Sequence, residues 1–472
     1  MKVGGADALP AGWTLELDPS ARRVDRGRAV LGGAPRRLLR LTPEGARWLD
    51  EAIAGRPIGE SIAERSLARR LVEAGVAHPV PSAGTGPTPR DVAVVVPVRD
   101  MPGGLVTTLA ALGDIDDLGE VVVVDDGSSD PEAVRRAAAG ATVLRNERSL
   151  GPAAARERGW RATISPIVVF VDAEIDAPAG PRWLSALLAA FGDEQLGAIA
   201  PRVRASAGSA PAFLASYERA RSSLDLGPRR APVRPGSAVP YLPTAALAVR
   251  REALASIGGF DPSLRTGEDV DLVWRLHADG WRVRYEPSVV VTHPTRSSLG
   301  GWLRQRVAYG TSAAPLARRH HDAVAPVRLS RSGALACGAV LAGRPVVAAA
   351  VSGASAAALA GRLPVDDGAS REATRLVVSG QLSAARQLAE ALRRPWWPLA
   401  LVLAVRSRRA RPALAAVAVV PAVVDAWERR PQGGLVRFAA LRLLDDVAYG
   451  TGVWIGCVRE RSVRALLPSF SR

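Results

Sequence analysis

The chain has 472 residues, a formal net charge of +16 and an apolar fraction of 48%, enough for two or three domains with real cores. The positive charge is almost all arginine, Lys2 being the only lysine, and the arginines are dispersed without helix-turn-helix or zinc-finger spacing. Nucleic acid therefore ranks last among anionic partners, behind anionic lipid and phosphate-bearing substrates. Cys337 and Cys457 lie far apart in apolar segments, which excludes a disulfide framework or cysteine metal site and suits a reducing cytoplasm; the N-terminus lacks the basic-then-apolar pattern of a secretion signal.

Residues 1–81 read as a small α+β unit. Trp13 to Asp18 alternates like a strand, and Arg36 to Leu41 offers a second. Thr42 followed by Pro43 marks a helix start. Leu49 and Ile53, then Ile62, Leu67, Leu71 and Val72 beyond a break at Gly55-Arg-Pro57, predict two or three short helices, and Val76 to Val80 a returning strand. Residues 82–90 are a Pro-, Gly- and Ser-bearing linker.

From Asp91 the pattern changes to apolar runs alternating with helical segments. Asp91 to Asp100, Glu120 to Val124, Thr142 to Leu144 and Ile167 to Val171 read as buried strands, with helices over 103–112, 131–139 and 151–162. That alternation predicts right-handed crossovers and a doubly wound α/β sheet spanning residues 91–325. Polar punctuation follows the strands, where open α/β sheets bind ligands. One run, Val168-Val-Phe-Val-Asp172-Ala-Glu174-Ile-Asp176, ends in three alternate carboxylates. In extended chain these share a face and suit a hard cation carrying a diphosphate; a solvated turn is the other reading.

Pro97-Val-Arg99-Asp100, then Asp125-Asp126-Gly127-Ser128, then Gly151-Pro-Ala-Ala-Ala155-Arg156, then Asp172-Ala-Glu174 stand in that order. At these words the chain resembles the inverting family-two glycosyltransferases with a GT-A nucleotide-sugar fold. Two positions depart from the family: Glu157 stands where Asn is usual, and Glu174 where the metal motif usually ends in Asp. The resemblance implies that Pro97, Arg99, Asp125, Asp126, Arg156 and Asp172 serve the nucleotide sugar. It also implies that Asp172, Glu174 and His293, which ends the run Val289-Val-Val-Thr292, hold a divalent cation, Mn²⁺ or Mg²⁺. For Arg156 two roles are open, facing the diphosphate or bracing the motif.

Residues 205–239, rich in Ser, Pro and Arg around a helical stretch over 213–224, read as a mobile insertion. Gly267-Glu268-Asp269-Val-Asp271-Leu272 then opens a helix whose Val270, Val273, Trp274 and His277 recur at helical spacing. Three acids exceed what a helix N-terminus needs for its dipole. By the family match Asp269 is the general base that deprotonates the acceptor hydroxyl, with Glu268 shaping its surroundings. His320-His321 reads as a surface pair. Trp302 to Gly310 lacks the Gln-x-x-Arg-Trp word of processive polysaccharide synthases.

Residues 326–472 turn apolar and arginine-rich, in segments 334–343, 345–361, 395–405, 412–424 and 447–458. Only 334–361 reaches the length of about 20 residues needed to span a bilayer, and Arg344 interrupts it. Trp396-Trp397 between Arg393-Arg394 and Arg406 to Arg411 suits an interfacial helix on the cytoplasmic face of an anionic membrane; a helical bundle is the alternative. The N-terminal unit resembles the winged-helix peptide-binding modules of modified-peptide cofactor pathways. The whole arrangement is similar to the glycosyltransferases of the mycofactocin system. That similarity implies a peptide-derived small-molecule acceptor and glucose from UDP-glucose. A rhamnosyl- or galactofuranosyl-type transferase on a lipid-linked acceptor, and a non-catalytic membrane-bound adaptor, are the alternatives.

Overall fold

A computed structural model describes residues 8–33 and 36–471. Lys2 and the N-terminal stretch read for a leader lie outside the described residues. The chain folds as two compact units. One takes the residues up to Arg23, Gly27–Ser206 and Arg221–Thr295; the other takes Val24–Arg26, Ala207–Ala220 and the residues from Arg296 on.

The first unit opens with β1 (Thr14–Leu17), β2 (Arg22–Val24), β3 (Ala29–Gly32), β4 (Arg37–Arg40), α1 (Pro43–Ile53), α2 (Ile62–Glu73) and β5 (Ala77–Val80). The Gly45 amide donates to Thr42 Oγ1 at 3.1 Å, and Pro43 occupies the first helical turn, so α1 starts where its cap residue places it. β5 pairs antiparallel with β1, and β2, β3 and β4 form a three-stranded sheet. β2 and β3 were not legible in the sequence; Ala29-Val-Leu31 is too short to show a period. Trp13, Leu49, Ile58 and Leu71 are fully buried at the centre of this part.

The same unit continues through β6 (Val92–Val98), α3 (Pro102–Gly113), β7 (Glu120–Asp126), α4 (Pro131–Ala137), β8 (Thr142–Asn146), α5 (Pro152–Arg161), β9 (Ile167–Val171), α6 (Arg182–Leu188) and β10 (Leu196–Ser206). After α7 (Ala212–Arg221) come β11 (Ala246–Arg250), α8 (Arg251–Ser256), α9 (Glu268–Ala278) and β12 (Arg282–Pro294). The seven strands order as β12-β10-β11-β9-β6-β7-β8, with β11 alone antiparallel to its neighbours. Val92 to Val96 and Ile167 to Val171 are at most 2% exposed, as expected for strands covered on both faces. Since β6, β7, β9, β10 and β12 run the same way, Val98, Asp126, Val171 and His293 reach one edge of the sheet.

Arg69 joins the N-terminal part to the sheet. It donates to both oxygens of Asp193 at 2.9 and 2.6 Å, and Asp193 also accepts from Arg284. Arg69 and Asp193 are 3% and 1% exposed, so truncating either would strand a buried charge, a loss of roughly 3–5 kcal/mol.

The second unit gathers α7, α10 (Leu299–Thr311), α11 (Ala313–His320), β13 (Arg328–Ser330), α12 (Arg331–Leu341), α13 (Pro345–Ala360), α14 (Ala369–Arg393), α15 (Trp397–Arg406), α16 (Arg411–Arg429), α17 (Leu435–Arg459) and β14 (Ser469–Ser471). Three expectations are corrected here. Segment 334–361 is two helices, α12 and α13, parted at Gly343-Arg344, and among the described residues no helix is long and apolar enough to cross a membrane. The helix predicted inside a mobile insertion is pinned: the Tyr217 hydroxyl donates to Asp445 at 2.8 Å, and Glu218 accepts from Trp302 at 2.8 Å and from Arg306. Arg393 is buried against Asp446 at 3.1 Å, and the Trp396 indole donates to the Leu466 carbonyl at 2.8 Å, so neither is free for lipid. α10 and α17 approach closely because Gly452 carries no Cβ; one there would meet the Val307 carbonyl.

Exposed apolar side chains are segregated. Apart from Ile53, Ile62, Val106, Leu150 and Ile164, every exposed large hydrophobic residue among those described lies beyond residue 330. On α15, Leu399, Leu401, Val402, Leu403 and Val405 are all about half or more exposed, and the exposed Arg406, Arg408, Arg409 and Arg411 follow directly.

Candidate active site

The site forms where three stretches of the first unit converge. β9 delivers Asp172, α5 delivers Arg156 and α9 delivers Glu268 and Asp269. Arg156 is only 4% exposed and stands between two carboxylates. One Nη donates to Glu268 Oε1 at 2.8 Å and the other to Asp172 Oδ1 at 2.7 Å. Arg156 thus bridges the two carboxylates.

The chain turns directly after Asp172: the Ile175 amide donates to the Asp172 carbonyl at 3.0 Å. The expectation of a continuing extended segment is thus corrected. The alternation survives in another form, because Ala173 and Ile175 anchor in the core while Asp172, Glu174 and Asp176 face outward. The Asp176 backbone bridges to β12, exchanging hydrogen bonds with Thr292 at 3.0 and 2.8 Å, while its side chain is exposed. That bridge brings the neighbouring His293 towards Glu174, with Nε2 4.0 Å from Oε2, while His293 Nδ1 lies 2.9 Å from the Pro294 carbonyl. Among the described residues no group of three or more His, Cys, Asp or Glu is close enough to hold a metal unaided. A cation bound chiefly through a diphosphate needs only one or two protein ligands. Glu174 and His293, both partly accessible, fit that smaller demand; Asp172 adds its charge while one oxygen stays on Arg156.

Asp125 and Asp126 are committed to the protein. Asp125 accepts from the Ser128 amide at 2.9 Å and from Arg145. Asp126 accepts from Asn146 and Ser149 side chains at 2.8 Å and from the Leu150 and Gly151 amides at 2.9 Å. Those four bonds fill a carboxylate's acceptor sites. They hold its carboxyl below the usual range despite burial. These aspartates set the loop that carries α5 rather than offering free oxygens. Pro97 sits at the end of β6 opposite Val124, and the Arg99 side chain beyond it is 58% exposed.

The three acids of α9 divide by partner. Asp271 is 1% exposed and holds Arg275 at 2.8 Å. Glu268 is held by Arg156. Asp269 has no arginine in contact among the described residues; it accepts from the Val270 amide at 2.8 Å. Burial, with the Glu268 charge beside it, pushes the Asp269 carboxyl up to about 7. A carboxylate poised there can take a proton near neutrality. His277 was expected to face inward with Val273 and Trp274; those two are buried, but His277 is exposed.

Several supporting residues escaped sequence reasoning. Glu157, the residue that departs from the family, accepts from Trp160 at 2.6 Å, from Arg161 at 2.6 Å and from the Phe260 amide at 2.8 Å. It thereby ties α5 to the loop before α9. Thr108 on α3 donates to the Ile175 carbonyl at 3.0 Å. Gly104 lets α3 sit against the Asp172 turn, since a Cβ there would lie 2.5 Å from the Ala173 carbonyl. Two glycines opening a helix were the available signal, being otherwise unfavourable there.

The family profile described as Glycosyltransferase like family 2 matches residues 89–310. The pre-mycofactocin glycosyltransferase of Mycobacterium tuberculosis (strain CDC 1551 / Oshkosh) is 40% identical over 98% of this chain and 99% of its own length. Human polypeptide N-acetylgalactosaminyltransferase 9 is 26% identical over 38% of this chain and 33% of its own. Among solved structures, the mannosyltransferase PcManGT of Pyrobaculum calidifontis, in complex with GDP-Man and Mn²⁺, is 22% identical over 64% of this chain and 84% of that one, with a TM-score of 0.37. With a GT-A sheet, its carboxylates gathered at one edge and that extent of identity, the chain belongs to the family-two glycosyltransferases, in the group of the pre-mycofactocin glycosyltransferases.

Proposed function

We propose that this glycosyltransferase moves a hexose, glucose from UDP-glucose, onto a peptide-derived redox-cofactor precursor, premycofactocin, with inversion at the anomeric carbon and with repeated rounds building a short oligosaccharide. The acceptor follows from the name of the 40%-identical relative. The chemistry rests on one observation: Arg156 donates to Glu268 and Asp172, so Asp269 stands beside them with no direct ion pair among the described residues, and burial and the Glu268 charge outweigh the more distant Arg156 to push its carboxyl up to about 7.

In this reading Asp269 takes the proton of the attacking acceptor hydroxyl, and Glu268 keeps Asp269 basic by its charge. Glu174 and His293, aided by Asp172, would hold a divalent cation, Mn²⁺ or Mg²⁺, which when bound offsets the negative charge of the departing diphosphate. Arg156 keeps the donor-side and base-side carboxylates at a set separation. The ends of β6 and β7, with Pro97, Arg99 and the loop ordered by Asp125 and Asp126, frame the nucleoside.

We assign the peptide portion of the acceptor to the N-terminal α+β module and the apolar α15 surface, with its arginines, to the cytoplasmic face of an anionic membrane. The segregation of exposed apolar residues beyond residue 330 supports the latter. The test of function is purified protein with UDP-glucose and Mn²⁺, with and without premycofactocin, followed by mass spectrometry. Successive hexose increments on the acceptor are expected. Folded protein that turns over no sugar nucleotide with this acceptor would overturn the reading.

A further inference from the structure

The first unit contains a cavity of about 270 Å³ at the other end of β12. It lies between the N-terminal module and the sheet, and Arg37, Arg230, Arg234, Arg282 and Arg284 line it, with Glu73 and Glu286 as the lining carboxylates. Register fixes its separation from the candidate active site. Arg284 pairs with Ile199 and His293 with Ala205, so six residues of β10, roughly 20 Å, separate the two.

Three of the five arginines have carboxylate partners. Arg230 binds Glu286 at 2.9 Å and also Glu16; Arg282 binds Glu73; Arg284 binds Asp193, which Arg69 already occupies. Arg37 and Arg234 have none among the described residues. Arg234 Nε and Nη2, Arg282 Nε and Arg284 Nη1 are buried donors without an acceptor. Burial pushes Arg284 down to about 10 and Arg234 below its usual range, where Arg37 adds to the effect. His277 also lines this space. Buried guanidinium donors are ordinarily satisfied, so four of them clustered around one cavity are available to an incoming acceptor. Arginine's planar fork matches oxyanions bidentately.

We infer that this cavity is a binding site for an oxyanion ligand carrying at least two negative charges, a phosphate or a dicarboxylate, separate from the sugar-nucleotide site. The inference does not depend on which acceptor the enzyme uses.

Calorimetry on the full chain, at fixed ionic strength and with UDP saturating the donor site, tests it with inorganic phosphate and with succinate. At least one should bind, and whichever binds more tightly names the class. Arg234→Ala, which removes no ion pair, should weaken that binding roughly tenfold or more while UDP affinity stays unchanged. Arg37→Ala, on the exposed β4, should act in the same direction. The inference is overturned if neither anion binds the wild-type protein, if chloride at equal ionic strength gives the same signal, if UDP competes, or if both variants bind as tightly as wild type.

Discussion

Replacing Asp269 by asparagine tests the active-site reading through stability as well as turnover. Burial and the Glu268 charge raise this carboxyl from 3.8 to about 7. At 1.36 kcal/mol per unit the shift sets a ceiling of about 4 kcal/mol on what the charged side chain takes from folding. The sign follows from which state loses its proton first. As pH rises, the unfolded chain ionises Asp269 near 3.8 and the folded chain only near 7. The penalty is therefore absent below the first value, grows between the two and is complete above the second. The substituted amide cannot ionise, so the Asp269→Asn variant should be more stable than wild type at pH 8, by at least about 1 kcal/mol, and the gap should close towards pH 4. Urea unfolding of both proteins in chelator, from pH 4 to 8, measures it. The same variant should lose transfer by about 10²–10⁴-fold while keeping UDP binding, and wild-type kcat/KM should rise with pH through about 7 to a plateau. A gap that does not change with pH would refute the buried-charge argument. Equal loss of donor binding would move Asp269 out of the base role.

Arg156→Ala should destabilise the protein by roughly 3–5 kcal/mol in urea unfolding, because Glu268 and Asp172 lose their shared partner; a change under about 1 kcal/mol would discount the brace. Chelator should stop turnover and Mn²⁺ or Mg²⁺ restore it, and Glu174→Gln or His293→Ala should raise the cation concentration for half-maximal rate about tenfold; chelator-insensitive turnover would refute the cation. The protein should co-sediment with phosphatidylglycerol vesicles and not with phosphatidylcholine. Changing Arg406, Arg408, Arg409 and Arg411 to serine should release it, each being worth about 1 kcal/mol at an anionic surface. Equal binding to both vesicles would remove the electrostatic part of that proposal.

Much of the catalytic unit was legible because its signals are local. Runs such as Val92 to Val96 and Ile167 to Val171 have to be covered on both faces, and carboxylates that follow them emerge at one edge of the sheet. Thr42 and Pro43 mark the start of α1 by the same local logic. Partner choice was not legible. Among so many arginines nothing in the sequence distinguishes Arg156, 112 residues from Glu268, from a surface arginine; burial and two carboxylates do. Four hydrogen bonds to Asp126 depend on how residues 146–151 wrap it. In the helical second unit, periodicity could not show that Arg393 and Trp396 turn inward while most of α15 stays exposed.

By itself, the amino-acid order determined the strand–helix alternation, the words at the strand ends and hence the kind of chemistry, because backbone periodicity and turn formation act over a few residues. Tertiary structure alone decided which carboxylates share Arg156, which accept from backbone amides and which arginine donors among the described residues lie without an acceptor around a cavity. Those properties depend on distance and burial between stretches a hundred or more residues apart, and electrostatic energies at such contacts are set by the space the fold encloses.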